Sequence, residues 1–436
     1  MGTMKAPWTT GTLAGIALVL VVCSSNINWG KDHWRTVIQA DAKGYYAYLP
    51  ALFIYHDANL GFFHGIEKGT YYDPNRFYDY RFGYKGKVVD KYFLGTAVAQ
   101  LPFFLAAHGY AAVTGGLTDG YSKPYVVGVN LAAVAWVLFG LWCMARLLST
   151  YEVPDGWIAF TLVVFMFGTN LFYYAIVAPG MSHAYSFGLC TAFLLLGRRT
   201  MTAPSTGRIL ALGALLGLII LIRPVNALLL LALPILLDDR PSWPDIKKAF
   251  TRYWTIVCAS GLLAMAVAAL QLLYYRIATG DWIVYSYGEE GFHWSDPHVL
   301  DILFSYRKGL FLYTPVLLLG LVGLPFLWRR STFGGGSWLV FLLLLTYVLS
   351  SWWNWWYGGS FGSRVFVEYL ALFALPAALA LQHLAPRWKR MLMTCMVLCI
   401  VLCQIQTYQM RYYQIHWEDM DKARYWDVFL RLDRIP

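Results

Sequence analysis

Apolar runs of about 18 or more residues, separated by short polar breaks, repeat along almost the whole chain, and this pattern predicts membrane-spanning helices. The runs fall near 11-29, 125-146, 157-178, 182-198, 209-222, 225-238, 254-277, 309-328, 337-352, 364-384 and 391-410. Lipid offers no hydrogen-bond partner to backbone amides, so segments of this kind must satisfy their own and are helical. The expectation is an all-α polytopic membrane protein of about eleven spanning helices, with juxtamembrane helices in a long first outer loop. Composition agrees: of 436 residues 58% are hydrophobic and only 13% charged, too apolar a balance for a water-soluble protein.

The cationic turns set the orientation. A further apolar stretch, 93-115, contains Pro102, His108 and Gly115-Gly116. If it spanned, the turns around Arg198/Arg199/Arg208, Arg240/Lys247/Lys248/Arg252, Arg329/Arg330 and Arg387/Lys389/Arg390 would all face outward, against the positive-inside rule. Read as a tilted interfacial helix, it leaves those turns with Lys5 and Arg146 on the cytoplasmic side. The chain then forms a single transmembrane domain, 1-436, whose first outer loop (30-92), outer loops 278-308 and 353-363 and C-terminal tail (411-436) share the other aqueous face. The run from Leu13 to Cys23 has Val22 where a lipoprotein signal needs a small residue, which predicts a retained first helix.

The net charge of +10 lies in short loops and not on one groove-fitting surface, so it reports topology and gives no sign of a nucleic-acid partner. The short cytoplasmic turns leave no room for a nucleotide-binding domain, and no phosphate-binding glycine loop is present. All seven cysteines sit in apolar segments; Cys395, Cys399 and Cys403 recur every four residues and read as one packed helix face.

Chemistry therefore belongs to the outer face. Asp41 follows the first helix among Tyr45, Tyr46 and Tyr48, where a partly desolvated carboxylate can act as a general base toward a hydroxyl; a helix cap or an ion pair with Lys43 is the alternative. The tyrosines around Asp73-Pro74-Asn75 and Asp79 to Arg81 suit a headgroup belt or sugar stacking. Lys91 stands where the loop meets 93-115 and can reach a lipid phosphate or simply snorkel. A helix breaks at Pro179-Gly180 and restarts with Ser182 as expected N-cap, placing His183 at a positive helix terminus that suits an anion. Arg223-Pro224 puts a costly guanidinium beside hydrocarbon, which marks Arg223 as a phosphate-binding candidate. Glu289, Glu290, His293, Asp296, His298 and Asp301 supply enough ligands to make a divalent metal possible, although their spacing matches no ligand pattern, so no metal residue is assigned.

The most distinctive stretch is Trp352 to Arg364, WWNWWYGGSFGSR. Trp353, Trp356 and Tyr357, with Tyr45, Tyr46, Glu289 and Glu290, are expected to shape a sugar or lipid pocket. Arg364 opens the next span as a bidentate phosphate ligand, with Glu368 one helical turn later to orient it.

An acidic residue just after the first helix, a long outer loop with a juxtamembrane helix and a late aromatic-Gly-Phe-Gly-x-Arg turn together resemble the GT-C superfamily of polyprenyl-phosphate-sugar-dependent glycosyltransferases, which includes protein O-mannosyltransferases and aminoarabinose transferases. The resemblance covers the architecture of the chain; its sharp motifs are Asp41 and 353-364. Many members carry an Asp-Glu pair where this chain has Asp41-Ala42. The resemblance implies an inverting transfer of a hexosyl or pentosyl group from a polyprenyl-phosphate donor to a hydroxyl of a glycan, lipid or protein acceptor, at the outer face of a bacterial inner membrane. Asp41 would be the base, and Arg364, Lys91, His183 and Arg223 would bind the donor phosphate. A lipid-linked-sugar flippase is the rival reading; it calls for polar residues at mid-membrane and repeat symmetry, and neither is present.

Overall fold

The computed structural model describes residues 6-71, 78-238 and 240-433; Lys5 and the turn at Asp73-Pro74-Asn75 lie outside the described residues. The chain is almost wholly helical. Helix α1 (Pro7–Ser24), prolonged by one wide turn to Trp29, precedes the first loop. That loop carries α2 (Asp41–Phe53) and a hairpin of β1 (Arg81–Tyr84) and β2 (Lys87–Asp90), closed by Lys85 and Gly86 with φ of 48° and 76°. The bundle continues with α3 (Gly95–Val113), α4 (Lys123–Ser149), α5 (Asp155–Phe167), α6 (Leu171–Ile176), α7 (Ser182–Thr202), α8 (Thr206–Ile222) and the tightly wound 3₁₀ segment Pro224–Leu236. Next come α9 (Trp243–Ala268), α10 (Leu270–Thr279), α11 (Val299–Phe304), α12 (Leu310–Tyr313), α13 (Val316–Val322), α14 (Leu324–Arg330) and α15 (Thr332–Ser350). A 3₁₀ segment, Arg364–Tyr369, leads into α16 (Leu370–His383), followed by α17 (Pro386–Arg411) and α18 (Lys422–Val428) in the tail.

Seven helices among the described residues are long and apolar enough to cross a membrane, and three more apolar helices are shorter. Three expected spans are interrupted, 254-277 only by the turn at Ala269 between α9 and α10. The 157-178 run breaks at Gly168 to Asn170 between α5 and α6, and the 309-328 run divides into α12, α13 and α14 at Pro315 and Gly323. Gly323 is at a close approach, since a Cβ there would lie 1.7 Å from the Pro376 carbonyl oxygen of α16. The interruption thus seats the broken helix directly on its neighbour. Gly95–Val113 is among the seven by length and composition. It runs antiparallel along the first half of α4, with the Trp136 indole donating to Ala99 O at 2.9 Å and the His108 imidazole 2.6 Å from the Tyr125 hydroxyl.

The core is built around α16, which is buried from Leu370 through Leu381 and apolar on every side, as a helix enclosed by other helices must be. At one end of the bundle Arg198, Arg330 and Asp238 form a cluster (2.6 and 3.2 Å), and Asp155 accepts from the amides of Trp8 and Thr9. At the other end the described parts of the loop 30-92 and of the tail fold together with the segments 280-308 and 351-363. Lys85 meets Asp281 at 2.8 Å, the His293 amide donates to Ser351 O at 2.6 Å, and Ser360 N donates to Trp417 O at 3.2 Å. The polar chemistry is therefore mounted on one end, around the start of the central helix.

Helices α8 and α9 meet through small residues: a Cβ at Gly213 would lie 2.2 Å from Ser260 O, and one at Gly217 2.5 Å from Ala264 O. Gly213→Val should force these helices apart and destabilise the protein by about 1–3 kcal/mol, seen as a lower thermal midpoint in detergent.

Candidate functional site

Asp41 opens α2, where the helix dipole favours a carboxylate. Ala40, just before it, has φ 50°, a conformation unfavourable for a residue with a Cβ, and this turn aims Asp41 back toward the bundle. There Asp41 Oδ2 accepts from Arg364 Nη2 at 2.7 Å and Oδ1 from the Tyr92 hydroxyl at 2.8 Å. The two side chains keep 16% and 13% exposure, so the pair is sheltered yet reachable. Burial by itself raises the Asp41 pKa, but Arg364, the Tyr92 hydroxyl and the nearby Lys91 outweigh it and hold the carboxyl below the usual carboxylate range.

Arg364 reaches this position because the preceding loop is tightly folded. Gly362 has φ 59°, and a Cβ there would lie 2.9 Å from Tyr313 Cβ, so glycine is required on both counts. Behind that loop, Lys308 is buried and donates to the Ser360 carbonyl and, at 2.5 Å, to the Trp417 carbonyl. Burial pushes the Lys308 pKa down to about 7, aided by the like charges of Arg364 and Arg307 against the pull of Glu418 and Asp419. Lys308 and the tail therefore clamp the loop that leads into the segment from which Arg364 projects.

A second charged group lies deeper. Glu368 Oε1 accepts from Arg223 Nη1 at 2.8 Å and lies 3.0 Å from His183 Nδ1, while its Oε2 is buried with no partner. His183 also packs on Tyr174 with ring centroids 4.8 Å apart. Glu368 thus orients Arg223 and His183, not Arg364. The expected Arg364-Glu368 alignment assumed an α-helix, but residues 364-369 are wound at about three residues per turn, which sets positions four apart roughly 120° away from each other. Ser182 begins α7 without capping it; its hydroxyl is buried with no partner.

The remaining candidates divide. Lys91 pairs with Glu290 at 2.5 Å, with its ammonium 5.5 Å from the Tyr287 ring. Tyr45 is on the Asp41 side, its ring 4.6 Å from Tyr92, and Tyr357 lies 6.0 Å from the Arg223 guanidinium. Tyr46 points away, donating to Gly120 O and packing on Tyr121, because one α-helical step turns a side chain by about 100°. Trp356 is held by Arg307, stacked at 3.6 Å, and by Glu418, whereas Trp353 and Glu289 are exposed. The loop carboxylates and imidazoles do not converge: His298 pairs with Asp301 at 2.9 Å, Glu290 with Lys91, and among the described residues no three His, Cys, Asp or Glu stand close enough to hold a metal. The sequence reading missed Tyr92 and Lys308. Nothing local marks Tyr92, which the hairpin delivers, or Lys308, which is buried only by the folding of the 351-363 loop and the tail around it.

The whole structure superposes on a crystal structure of ArnT from Cupriavidus metallidurans bound to undecaprenyl phosphate, with a TM-score of 0.50 and 15% identity over 93% of this chain and 65% of that one. The chain shares the ArnT fold. At this identity the likeness is one of fold alone. The archaeal oligosaccharyltransferase AglB from Archaeoglobus fulgidus, in complex with an inhibitory peptide and a dolichol-phosphate, gives a TM-score of 0.49 at 12% identity over 98% of this chain and 58% of its own. The chain thus spans less than two thirds of the length of either structure. No protein-family model and no curated protein matches the sequence.

Removing Glu368 leaves Arg223 charged, largely enclosed and without its carboxylate beside the buried His183. Glu368→Ala should cost about 3–5 kcal/mol, read as a loss of thermal stability in detergent, with Glu368→Gln recovering part of it.

Proposed function

We propose that the chain is a membrane glycosyltransferase that moves a sugar from a polyprenyl-phosphate donor to a hydroxyl acceptor. The observation that carries this reading is the sheltered but reachable Asp41-Arg364 pair, a base and a phosphate ligand brought together from residues 323 apart in sequence. The ArnT fold supports it. In the reaction Asp41 takes the proton of the acceptor hydroxyl, whose oxygen attacks the anomeric carbon. The bond from that carbon to the phosphate oxygen breaks, and polyprenyl phosphate leaves. A single displacement of this kind inverts the anomeric centre.

The charge that develops on the leaving phosphate is the largest in the reaction, and prepositioned cations stabilise it without reorganisation. Arg364 and Lys91 carry that role at the donor site; Arg223 and His183, held by Glu368, support it from below. Arg364 also couples the two halves of the site. While it pairs with Asp41 the carboxylate is a poor base; a donor phosphate that draws the guanidinium away leaves Asp41 to the effect of burial, which raises its basicity. Tyr45, Tyr357 and Tyr287 border the space for the sugar and lipid.

The end of the bundle that carries this site is the non-cytoplasmic face, and the Arg198-Asp238-Arg330 end is cytoplasmic, in keeping with the positive-inside rule. Helix α3, although long and apolar enough to cross, is assigned here to the interface of that face, beside α4. A bacterial inner membrane, with the site facing the periplasm, suits a hexosyl or pentosyl donor of this type.

Purified protein in liposomes with a radiolabelled polyprenyl-phosphate sugar and candidate acceptors should release polyprenyl phosphate, and Asp41→Asn should slow release by about 10²- to 10⁴-fold while still binding lipid. Equal release by both proteins would remove Asp41 from the chemistry, and lipid movement between leaflets without release would indicate a flippase. Arg364→Gln should shift the acid limb of the residual rate to higher pH. Loss of the guanidinium raises the Asp41 pKa, so the base form is lost at a higher pH as the solution is acidified.

A further inference from the structure

Segment 281-304, which the sequence places in an outer loop, turns its large apolar side chains outward. Trp282, Ile283, Phe292, Trp294, Leu300 and Phe304 are all exposed, Ile283 at 78% and Leu300 at 74%. The local structure sorts them to the outside. Val284 is buried and Ser286 donates inward to the Lys91 carbonyl at 2.8 Å, which leaves Ile283 and Tyr285 facing out. In α11, Leu300 and Phe304 stand four residues apart on one face, while Ile302 on the opposite side is fully buried. Rings join the two ends of the segment: Phe292 stacks on Trp294 at 4.6 Å and meets Trp352 at 4.9 Å, and Trp352 meets Tyr287 at 5.8 Å. A joined apolar surface of this extent marks a membrane or partner contact.

Its neighbours say which contact it makes. On one side the segment continues α10, where Leu273 and Ile277 are exposed and Arg276 sets its guanidinium 6.0 Å from the Trp282 ring, the pairing of a snorkelling cation with an interfacial indole. On the other side Val340, Leu343 and Tyr347, spaced by three and four residues, form an exposed row on α15. The Tyr347 hydroxyl donates to the Trp294 carbonyl at 2.7 Å and its ring stacks on Trp294 at 6.0 Å; the His298 amide donates to Ser350 O at 3.0 Å and fixes the start of α11 beside the end of that row. Both rows belong to helices long and apolar enough to cross a membrane, Thr251–Thr279 and Thr332–Ser350. The lipid-facing surface of the spans therefore runs onto the segment without a break, whereas a water-soluble partner would have to stop at the headgroups. The exposed acids Glu289, Asp296 and Asp301 give anionic lipid no advantage, so apolar insertion is the driving interaction.

We propose that segment 281-304 is seated in the bilayer interface at the end of the bundle that carries Asp41, with its exposed rings and aliphatic chains among lipid headgroups and the upper acyl chains. Its polar contacts point the other way: Glu290 pairs with Lys91 at 2.5 Å, and the Tyr287 ring lies 6.4 Å from that of Tyr92. The seat thereby fixes the depth at which Asp41 and Lys91 stand relative to the headgroup phosphates, whatever reaction that site performs.

The test is photo-crosslinking of the full chain in phosphatidylcholine vesicles with no donor present. p-Benzoylphenylalanine replaces Trp282 and Phe304 in turn; Val340, on the exposed row of α15, is the positive control and the exposed Lys422 in the tail the negative one. Adducts are identified by mass spectrometry and gel mobility. The expected result is phospholipid adducts at both positions, at a yield like that of Val340 and about tenfold or more above that of Lys422. If either variant does not fold, Leu300 takes its place with the same expectation. Without that excess over Lys422, or with crosslinks to a second copy of the chain in place of lipid, the proposal falls. Turnover enters none of these readouts, so loss of the transferase reading would leave the seat standing, and loss of the seat would leave the transferase reading standing.

Discussion

A charge near hydrocarbon must be paired or wetted, and this requirement shapes the end of the bundle that carries the polar residues. Arg364 and Glu368 both project from the segment that starts the fully buried helix α16, so neither can be left alone. Each takes its partner from a distant part of the chain: Arg364 from Asp41 in the first loop, Glu368 from Arg223 and His183 in the bundle. These two sets of contacts tie the loop, α7, the break after α8 and the last third of the chain to one point. On the reading proposed above, they also leave charge concentrated where a phosphate and a sugar would meet.

Local strain is distributed around the same point. Ala40 and Tyr357 adopt positive φ just before Asp41 and within the glycine-rich turn, conformations that persist only where packing over-determines them. The packing is supplied from outside the site. Trp417 covers Gly359, Lys308 draws the Ser360 and Trp417 carbonyls together, and Glu418 holds the Trp356 indole. The tail thus acts as a brace for the loop that aims Arg364, and Trp356 is held by this brace while Trp353 is exposed.

Helix α2 separates two chemically different spaces. One side offers Asp41 with Arg364 and Lys91, matched to a base and a departing phosphate. The other is packed with aromatic rings and the buried carboxylate of Glu67.

The sequence by itself determined that this is a helical membrane protein, because runs of apolar residues admit no other backbone solution in lipid. It also picked out Asp41, Lys91, His183, Arg223, Arg364 and Glu368, since each ionisable group near an apolar run is costly enough to need a reason. It could not say who pairs with whom. The Arg364-Glu368 expectation failed because helix type, and with it the angular step between residues, is set by packing against α7 and not by local propensity. The breaks at Gly168 and Gly323 were hidden for a similar reason: a glycine within an apolar run is compatible with a continuous helix until a neighbour such as α16 approaches it. Tyr92, Lys308 and the buried Glu67 belong to contacts between segments far apart in the chain, and only the tertiary structure decides those.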